Sequence, residues 1–247
     1  MTDTTDDDLF GEPWLTVGGR ALRSRLILGV EQYDDPVLVG RVLEAAGADV
    51  FITTFDLTNS RPSLLLTDLD AAVGLDAYTW LGTTSFADSA DNAIRTARMI
   101  RQSLGVAVIK LDVRNTANVP DPEGTRVAAK ELLADGFEVL PLVVPDVAVA
   151  TSLQDMGCSA IRLMGSAVGS AAGLQRPDDL RACVGELTIP VVVEGGIGGP
   201  GHVVAAMALG ADAVLVNSCV ARASDPVLMA SAMRHAVRAC GLAVRAA

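Results

Sequence analysis

Eight short apolar runs alternate with amphipathic stretches along almost the whole chain, and that alternation leaves few folds open. The runs are RLILGV from Arg25, DVFITTF from Asp49, TWLGTT from Thr79 and VAVIKLDV from Val106. EVLPLVV from Glu138, AIRLMGS from Ala160, PVVVEGGI from Pro190 and AVLVNSCV from Ala213 follow. Between them lie stretches such as ADNAIRTARMIRQSL and EGTRVAAKELLADG, apolar at i, i+3, i+4 and i+7 as core-facing helices are. Gly47, Gly105, Gly136, Gly157 and Gly210 stand just before strands, where left-handed helix ends place glycine. Strict strand–helix alternation over 247 residues predicts an α/β fold: one (β/α)₈ TIM barrel. No G-x-G-x-x-G follows the first strand, which argues against an open dinucleotide-binding sheet. The weakest repeat is the second, where RPSLLLTDLDAAVGLDAY is irregular.

Ahead of the barrel, LTVGGRALRSR reads as a short hairpin with Gly-Gly at its turn, placed to cap the barrel floor. Residues 1–13 read as an acidic disordered tail, and residues 14–247 as a single catalytic domain without an internal linker. A net charge of −11 disfavours nucleic acid or an anionic membrane as a partner, since phosphate backbones are gripped by clustered Lys and Arg. No uninterrupted apolar run reaches the roughly 20 residues of a bilayer span, and no signal peptide is visible. The four cysteines, at 158, 183, 219 and 240, form no C-x-x-C pair, so a reducing cytoplasm is the expected setting.

In such a barrel the working residues sit at the C-terminal ends of the strands. Alternation along VAVIKLDV puts Val106, Val108, Lys110 and Asp112 on one face, which points into the lumen. The chain has two lysines; Lys130 lies on a helix, and Lys110 is the inward one. It is either an ion-pair partner of Asp112 or an amine that forms an imine with a carbonyl. Only the neutral amine attacks, and a lysine in water at pH 7 is neutral in about one molecule in 2,500. An apolar lumen favours the neutral form while neighbouring carboxylates favour the ammonium. A carboxylate that takes the proton as substrate arrives reconciles the two. Glu194, at the end of VVVEGG, is the second candidate, as a structural salt bridge or as an acid/base group.

EGGIGGPG after the seventh strand, NSCVA after the eighth and GSAVGSAAG after the sixth are three consecutive small-residue loops. Each alone is a tight turn; together they predict a phosphate site, where glycine lets backbone N–H groups approach oxygens closely. Cys219 reads as a buried thiol more readily than as a sulfur-handling one, and His202 lies beside the glycine loops. His235 is on the last helix, and neither histidine has a partner at metal-ligand spacing, so no metal is expected. Glu31, Asp56 and Arg61 follow strand tops and are candidates for reaching a substrate.

These residues resemble the bacterial thiazole synthases, which make the thiazole phosphate of thiamin. The resemblance runs from about Leu15 to Ala239 and rests on SRLILG at Ser24, VIKLDV around Lys110, PDP at Pro120 and ELLADGFEVLP at Glu131. GSAVGS at Gly165, VVVEGGIGGP at Val191, ALGADAVLVNSCVA at Ala208 and DPVLMASAM at Asp225 complete it. It implies that Lys110 forms an imine with a sugar-phosphate ketone and that Asp112 and Glu194 are acid/base carboxylates. It further implies that Gly169, Gly195, Gly196, Asn217 and Ser218 bind the phosphate, and that no cofactor is needed. Sulfur would come from a ubiquitin-like carrier protein bearing a C-terminal Gly-Gly thiocarboxylate, and the enzyme would be a homo-oligomer.

The chain also departs from that pattern. GVEQY, TTFDLTN and GTTSFAD replace the family's residues after the first three strands, and the loop from Lys110 to PDP is shortened. The basic, aromatic tail expected to cover the site does not follow Ala239. With the lysine and phosphate loops kept and the rest of the pocket changed, the chain looks most like the 2-thiosugar (2-thioglucose) synthases of antibiotic biosynthesis. That resemblance implies glucose 6-phosphate as the substrate and a 2-thiosugar phosphate as the product. Thiazole synthase, a class I aldolase or phosphosugar isomerase, and a non-catalytic carrier-docking scaffold are the alternatives.

Overall fold

The structure, a computed structural model, describes residue 10 and residues 12–54, 66–85 and 87–246. Asp56 and Arg61, and the acidic segment 1–9, lie outside the described residues. A two-stranded antiparallel hairpin, β1 (Leu15–Val17) and β2 (Arg20–Leu22), comes first. Its turn is Gly18–Gly19 with φ of 58° and 72°. Both turn residues of such a tight hairpin need positive φ, which glycine alone takes at no steric cost.

Eight parallel strands then close into a barrel in the order β10-β3-β4-β5-β6-β7-β8-β9. They are β3 (Leu26–Gly29), β4 (Val50–Thr54), β5 (Thr79–Thr83), β6 (Val108–Leu111), β7 (Glu138–Val143), β8 (Ile161–Met164), β9 (Val191–Glu194) and β10 (Ala213–Val216). The helices are α1 (Pro36–Ala46), α2 (Leu66–Val73), α3 (Ala90–Leu104), α4 (Pro122–Ala134), α5 (Val147–Asp155), α6 (Pro177–Glu186), α7 (Pro200–Ala208), a short α8 (Ser218–Ala221) and α9 (Pro226–Ala246). All eight strands fall within the apolar runs of the sequence. The irregular second repeat yields α2 and a 3₁₀ turn, Leu75–Ala77, in its described part. The last run shortens, because residues from Ser218 coil into α8.

Local chemistry sets the helix ends. Asp35, Asp121 and Asp146 accept backbone N–H groups at the starts of α1, α4 and α5, and Ser89 does so for α3. The glycines at 47, 105, 136, 157 and 210 all have positive φ where their helices stop.

Two apolar layers follow from strand alternation. Outward residues such as Ile109, Leu111, Ile161 and Val193 pack under the helices. Inward residues Ile27, Ile52, Leu81, Val108, Leu140, Ala160, Val192 and Leu215 fill the lumen together with Trp14, Leu15, Val17 and Leu22 of the hairpin segment. The hairpin thus closes the N-terminal end. The Gly18 N–H donates to Glu138 Oε1 (2.7 Å), and Arg20 donates to the Tyr78 and Asp76 carbonyls (2.7 Å each). Val106 departs from the expected pattern: it precedes β6 and packs with the outer layer instead of the lumen.

Helix α9, 21 residues long, contains an 18-residue window of mean hydropathy 1.2, long and apolar enough by those measures alone to cross a membrane. Alanine and valine on either side of Arg234, His235 and Arg238 produce that value. The helix packs on the barrel exterior beside α1 and α7, burying Ala230, Met233, Ala236 and Val237.

Candidate active site

The C-terminal mouth of the barrel holds a cavity of about 730 Å³. Lys110, on β6, points into it with a side chain only 6% exposed. Its Nζ donates to Asp112 Oδ1 (3.2 Å) and Oδ2 (3.1 Å), and lies 3.5 Å from Glu194 Oε1. Asp112 is fully buried behind the lysine, its backbone N–H and carbonyl both bonded to Thr84 Oγ1 (2.8 Å). It therefore touches Lys110 without lining the cavity, whereas Glu194 does line it.

A residue absent from the sequence-based site completes the cluster. Arg162 is fully buried on β8. Its Nε donates to the Leu140 carbonyl (2.8 Å), Nη1 to Glu194 Oε2 (2.7 Å) and Nη2 to the Leu111 carbonyl (2.7 Å). Nη2 also pairs with Asp112 Oδ1. The signal for it was present: in AIRLMGS the same alternation that turns Lys110 inward turns Arg162 inward. Arg114, in the loop after β6, adds a third cation through Nη2 to Asp112 Oδ2 (2.7 Å). Three cations thus face two carboxylates, which leaves the buried cluster with an excess positive charge beneath the cavity.

The electrostatics follow from those contacts. Burial alone would raise the Asp112 carboxyl, but Lys110, Arg162 and Arg114 hold it far below the usual carboxylate range. Burial works against the Arg162 cation, and Glu194 and Asp112 more than offset it, so the guanidinium stays charged. Glu31, across the cavity after β3, behaves in the opposite way: burial raises its carboxyl, with its own backbone N–H, Lys110 and Asn217 opposing.

The glycine loops line the same cavity. Gly169, Gly195 and Gly196 border the cavity with φ of 79°, 77° and 72°. A Cβ on Gly195 would sit 2.5 Å from the Ser166 carbonyl oxygen, so the loops after β8 and β9 meet only because it is absent. Cross-bonds fix this contact: Ser166 N to the Gly195 carbonyl (3.2 Å) and Gly173 N to the Gly196 carbonyl (2.8 Å). His202 supports the loop from below, its Nδ1 accepting the Gly198 N–H (3.0 Å).

Asn217 and Ser218 border the same cavity after β10. Asn217 Nδ2 donates to Glu31 Oε2 (2.6 Å), and Gln32 Nε2 donates to Asn217 Oδ1 (3.2 Å) and Ser218 Oγ (2.8 Å). Arg222 Nε donates to Gln32 Oε1 (3.1 Å), carrying a further cation to the rim. Gln32, Arg114 and Arg222 were not singled out from sequence, because loop residues show no periodicity. Cys219 borders the cavity from α8 rather than from a strand end, and burial pushes its thiol up, away from the thiolate. His235 lies on α9 and does not border the cavity.

The two perturbed carboxyls have opposite consequences for stability. Glu31 keeps its proton in the native state after the unfolded chain has lost it. Its contribution is complete below its ordinary value of 4.5 and is lost as pH rises through the raised native value. The Asp112 contribution is present above its ordinary 3.8 and disappears as pH falls. Glu31→Gln is therefore expected to flatten the decline in Tm as pH rises above the ordinary value of 4.5. Parallel Tm–pH curves for variant and parent would show that Glu31 titrates as an ordinary carboxyl.

Comparison with known proteins places this geometry. Residues 16–247 match the family described as thiazole biosynthesis protein ThiG. A thiazole synthase of Exiguobacterium sibiricum is 39% identical over 233 residues, covering 91% of this chain and 89% of the relative. One of Rhodospirillum rubrum is 37% identical over 249 residues, covering 99% and 84%. Among solved structures, the Amycolatopsis orientalis BexX/CysO complex contains a chain 52% identical to this one. That match has a TM-score of 0.91 and covers 95% of this chain and 96% of the other. A thiamine phosphate pyrophosphorylase from Pyrococcus furiosus, at 18% identity and a TM-score of 0.61, shares the fold.

Proposed function

The chain belongs to the thiazole biosynthesis protein ThiG family, and from that premise we propose that it is a sulfur-inserting synthase acting on a sugar phosphate, glucose 6-phosphate in particular. One observation carries the reading: Lys110, buried between Asp112 and Glu194, faces a cavity that Gly169, Gly195 and Gly196 also line. A nucleophilic amine flanked by proton acceptors suits imine formation with an open-chain sugar, and a glycine cradle suits its phosphate.

In this reading Gly169, Gly195, Gly196, Asn217 and Ser218 hold the phosphate. Lys110 loses a proton, attacks C1 of the aldehyde and expels the carbonyl oxygen as water. Proton transfer then moves the carbonyl character to C2. The thiocarboxylate sulfur of a ubiquitin-like carrier protein adds to C2. The C2 oxygen then leaves as water as C1 gives up a proton, which restores the C1 imine. Hydrolysis frees Lys110 and leaves the carrier as a carboxylate. Sulfur replaces one hydroxyl oxygen overall, so the exchange is redox-neutral and needs no cofactor. The product is a 2-thiosugar phosphate. The partnership of BexX with CysO in the solved relative supports a protein partner for this chain.

Thiazole synthesis is the second reading, favoured by the names of the relatives at 36–39% identity. The higher identity to BexX, 52%, and the changed residues GVEQY favour the first. Borohydride reduction in the presence of glucose 6-phosphate separates them: the intact protein should gain the mass of one reduced sugar phosphate. No gain with this sugar, but a gain with a pentulose phosphate, would favour thiazole synthesis. Turnover of sugar without any carrier would indicate an isomerase or aldolase.

A further inference from the structure

We propose that Arg162 is a positioning residue that divides the work of the two carboxylates. It fixes Asp112 as the permanent counter-ion of Lys110 and leaves Glu194 as the group that takes and returns the proton. The inference rests on the reading that Lys110 forms an imine, and it assigns roles within that reaction.

Both oxygens of Asp112 are saturated by cations. Oδ1 meets Lys110 and Arg162; Oδ2 meets Lys110 and Arg114. A carboxylate so held has no lone pair aimed at substrate, and its side chain is 0% exposed. Glu194 is held on one side only. Arg162 Nη1 grips Oε2 at 2.7 Å, which turns Oε1 towards Lys110 Nζ, 3.5 Å away, at the cavity wall.

The fork cannot turn. Nε and Nη2 are anchored at the Leu140 and Leu111 carbonyls, on the two preceding strands of the barrel, β7 and β6. One planar group therefore sets the angle of both carboxylates at once, which a lysine ammonium in its place could not do. The groups facing Glu194 are Arg162 from β8, Lys110 with Asp112 behind it from β6 and its end, and Glu31 from beyond β3.

The step balances. The Lys110 ammonium gives one proton to Glu194 Oε1 and becomes the amine. The amine forms its bond to C1 of the aldehyde as the carbonyl π electrons move to oxygen. That oxygen receives two protons, one returned by Glu194 and one from the attacking nitrogen, and leaves as water. The protonated imine keeps the remaining N–H.

The test is the rate of borohydride-trappable adduct formation with glucose 6-phosphate, measured across pH on the full chain. Parent, Glu194→Gln and Arg162→Lys proteins are compared, each first checked for a cooperative thermal transition. Arg162→Lys keeps the buried charge and so keeps the fold within reach. Its adduct rate is expected to fall roughly 10- to 100-fold, with the acidic limb of the pH profile displaced. Its half-saturating sugar phosphate concentration should stay within about 3-fold of the parent, since the glycine cradle is untouched. Glu194→Gln should slow adduct formation at least as much and move the acidic limb to higher pH, because Lys110 must then lose its proton to solvent. An Arg162→Lys or a Glu194→Gln protein with parental rate and parental limb overturns the proposal while the imine stands. Absence of any adduct in the parent overturns the imine reading, and the division of labour with it.

Discussion

Lys110→Ala is expected to abolish the borohydride-trapped adduct and to lower turnover by about 10⁴-fold or more, the scale of loss when a covalent nucleophile is removed. The fold should survive. Asp112 keeps Arg162 and Arg114 as partners after the lysine is gone, so no buried carboxylate is stranded. Glu194 likewise keeps Arg162. The check is the intact mass after reduction with glucose 6-phosphate, alongside the thermal transition of the variant. An adduct that persists in Lys110→Ala would place the reactive amine elsewhere, and Lys130 on α4 is the other lysine.

Arg162→Met should have the larger effect on stability. It strips Glu194 of its shorter ion pair, leaving Lys110 at 3.5 Å, and removes the donors to two buried carbonyls. Breaking one side of a buried ion network costs about 3–5 kcal/mol, because the remaining charge stays desolvated. In a chain of this length that corresponds to a fall in Tm of roughly 10 °C or more. The sign can be cross-examined. Adding Glu194→Gln to Arg162→Met removes the stranded charge, so the double variant should recover part of the loss. A double variant no more stable than the single one would show that the cost comes from lost packing, not from an uncompensated carboxylate.

Much of the architecture could be read from the chain, for a physical reason that also explains what could not. Parallel strands covered on both faces are apolar runs, and their period of two fixes which residues face the lumen. Lys110 was placed by that rule, Glu194 by its position at a strand end, and the Gly18–Gly19 turn and the helix-ending glycines by their backbone requirement. Arg162 obeys the same rule and was still missed. Its meaning comes from Leu140, Leu111, Asp112 and Glu194, which belong to other strands and meet it only once the barrel closes. The different standing of Asp112 and Glu194 was hidden likewise, since exposure to the cavity is a property of depth and not of periodicity. Gln32, Arg114 and Arg222 sit on loops, where no period exists to read. Val106 marks the other limit: an apolar run shows that a strand is present but not where its ladder begins.

The hairpin that closes the barrel floor has a kinetic consequence. With Trp14, Leu15, Val17 and Leu22 filling the lower end, whatever enters the lumen must leave by the mouth through which it came. Two reactants sharing one doorway cannot arrive in arbitrary order. In the reaction proposed above, the sugar phosphate would have to be seated at depth, its phosphate in the glycine loops and its carbon at Lys110, before the carrier protein covers the opening. Product then stays behind until the donor withdraws. Such a chamber works as a queue, and its throughput is set at the door as much as at the lysine.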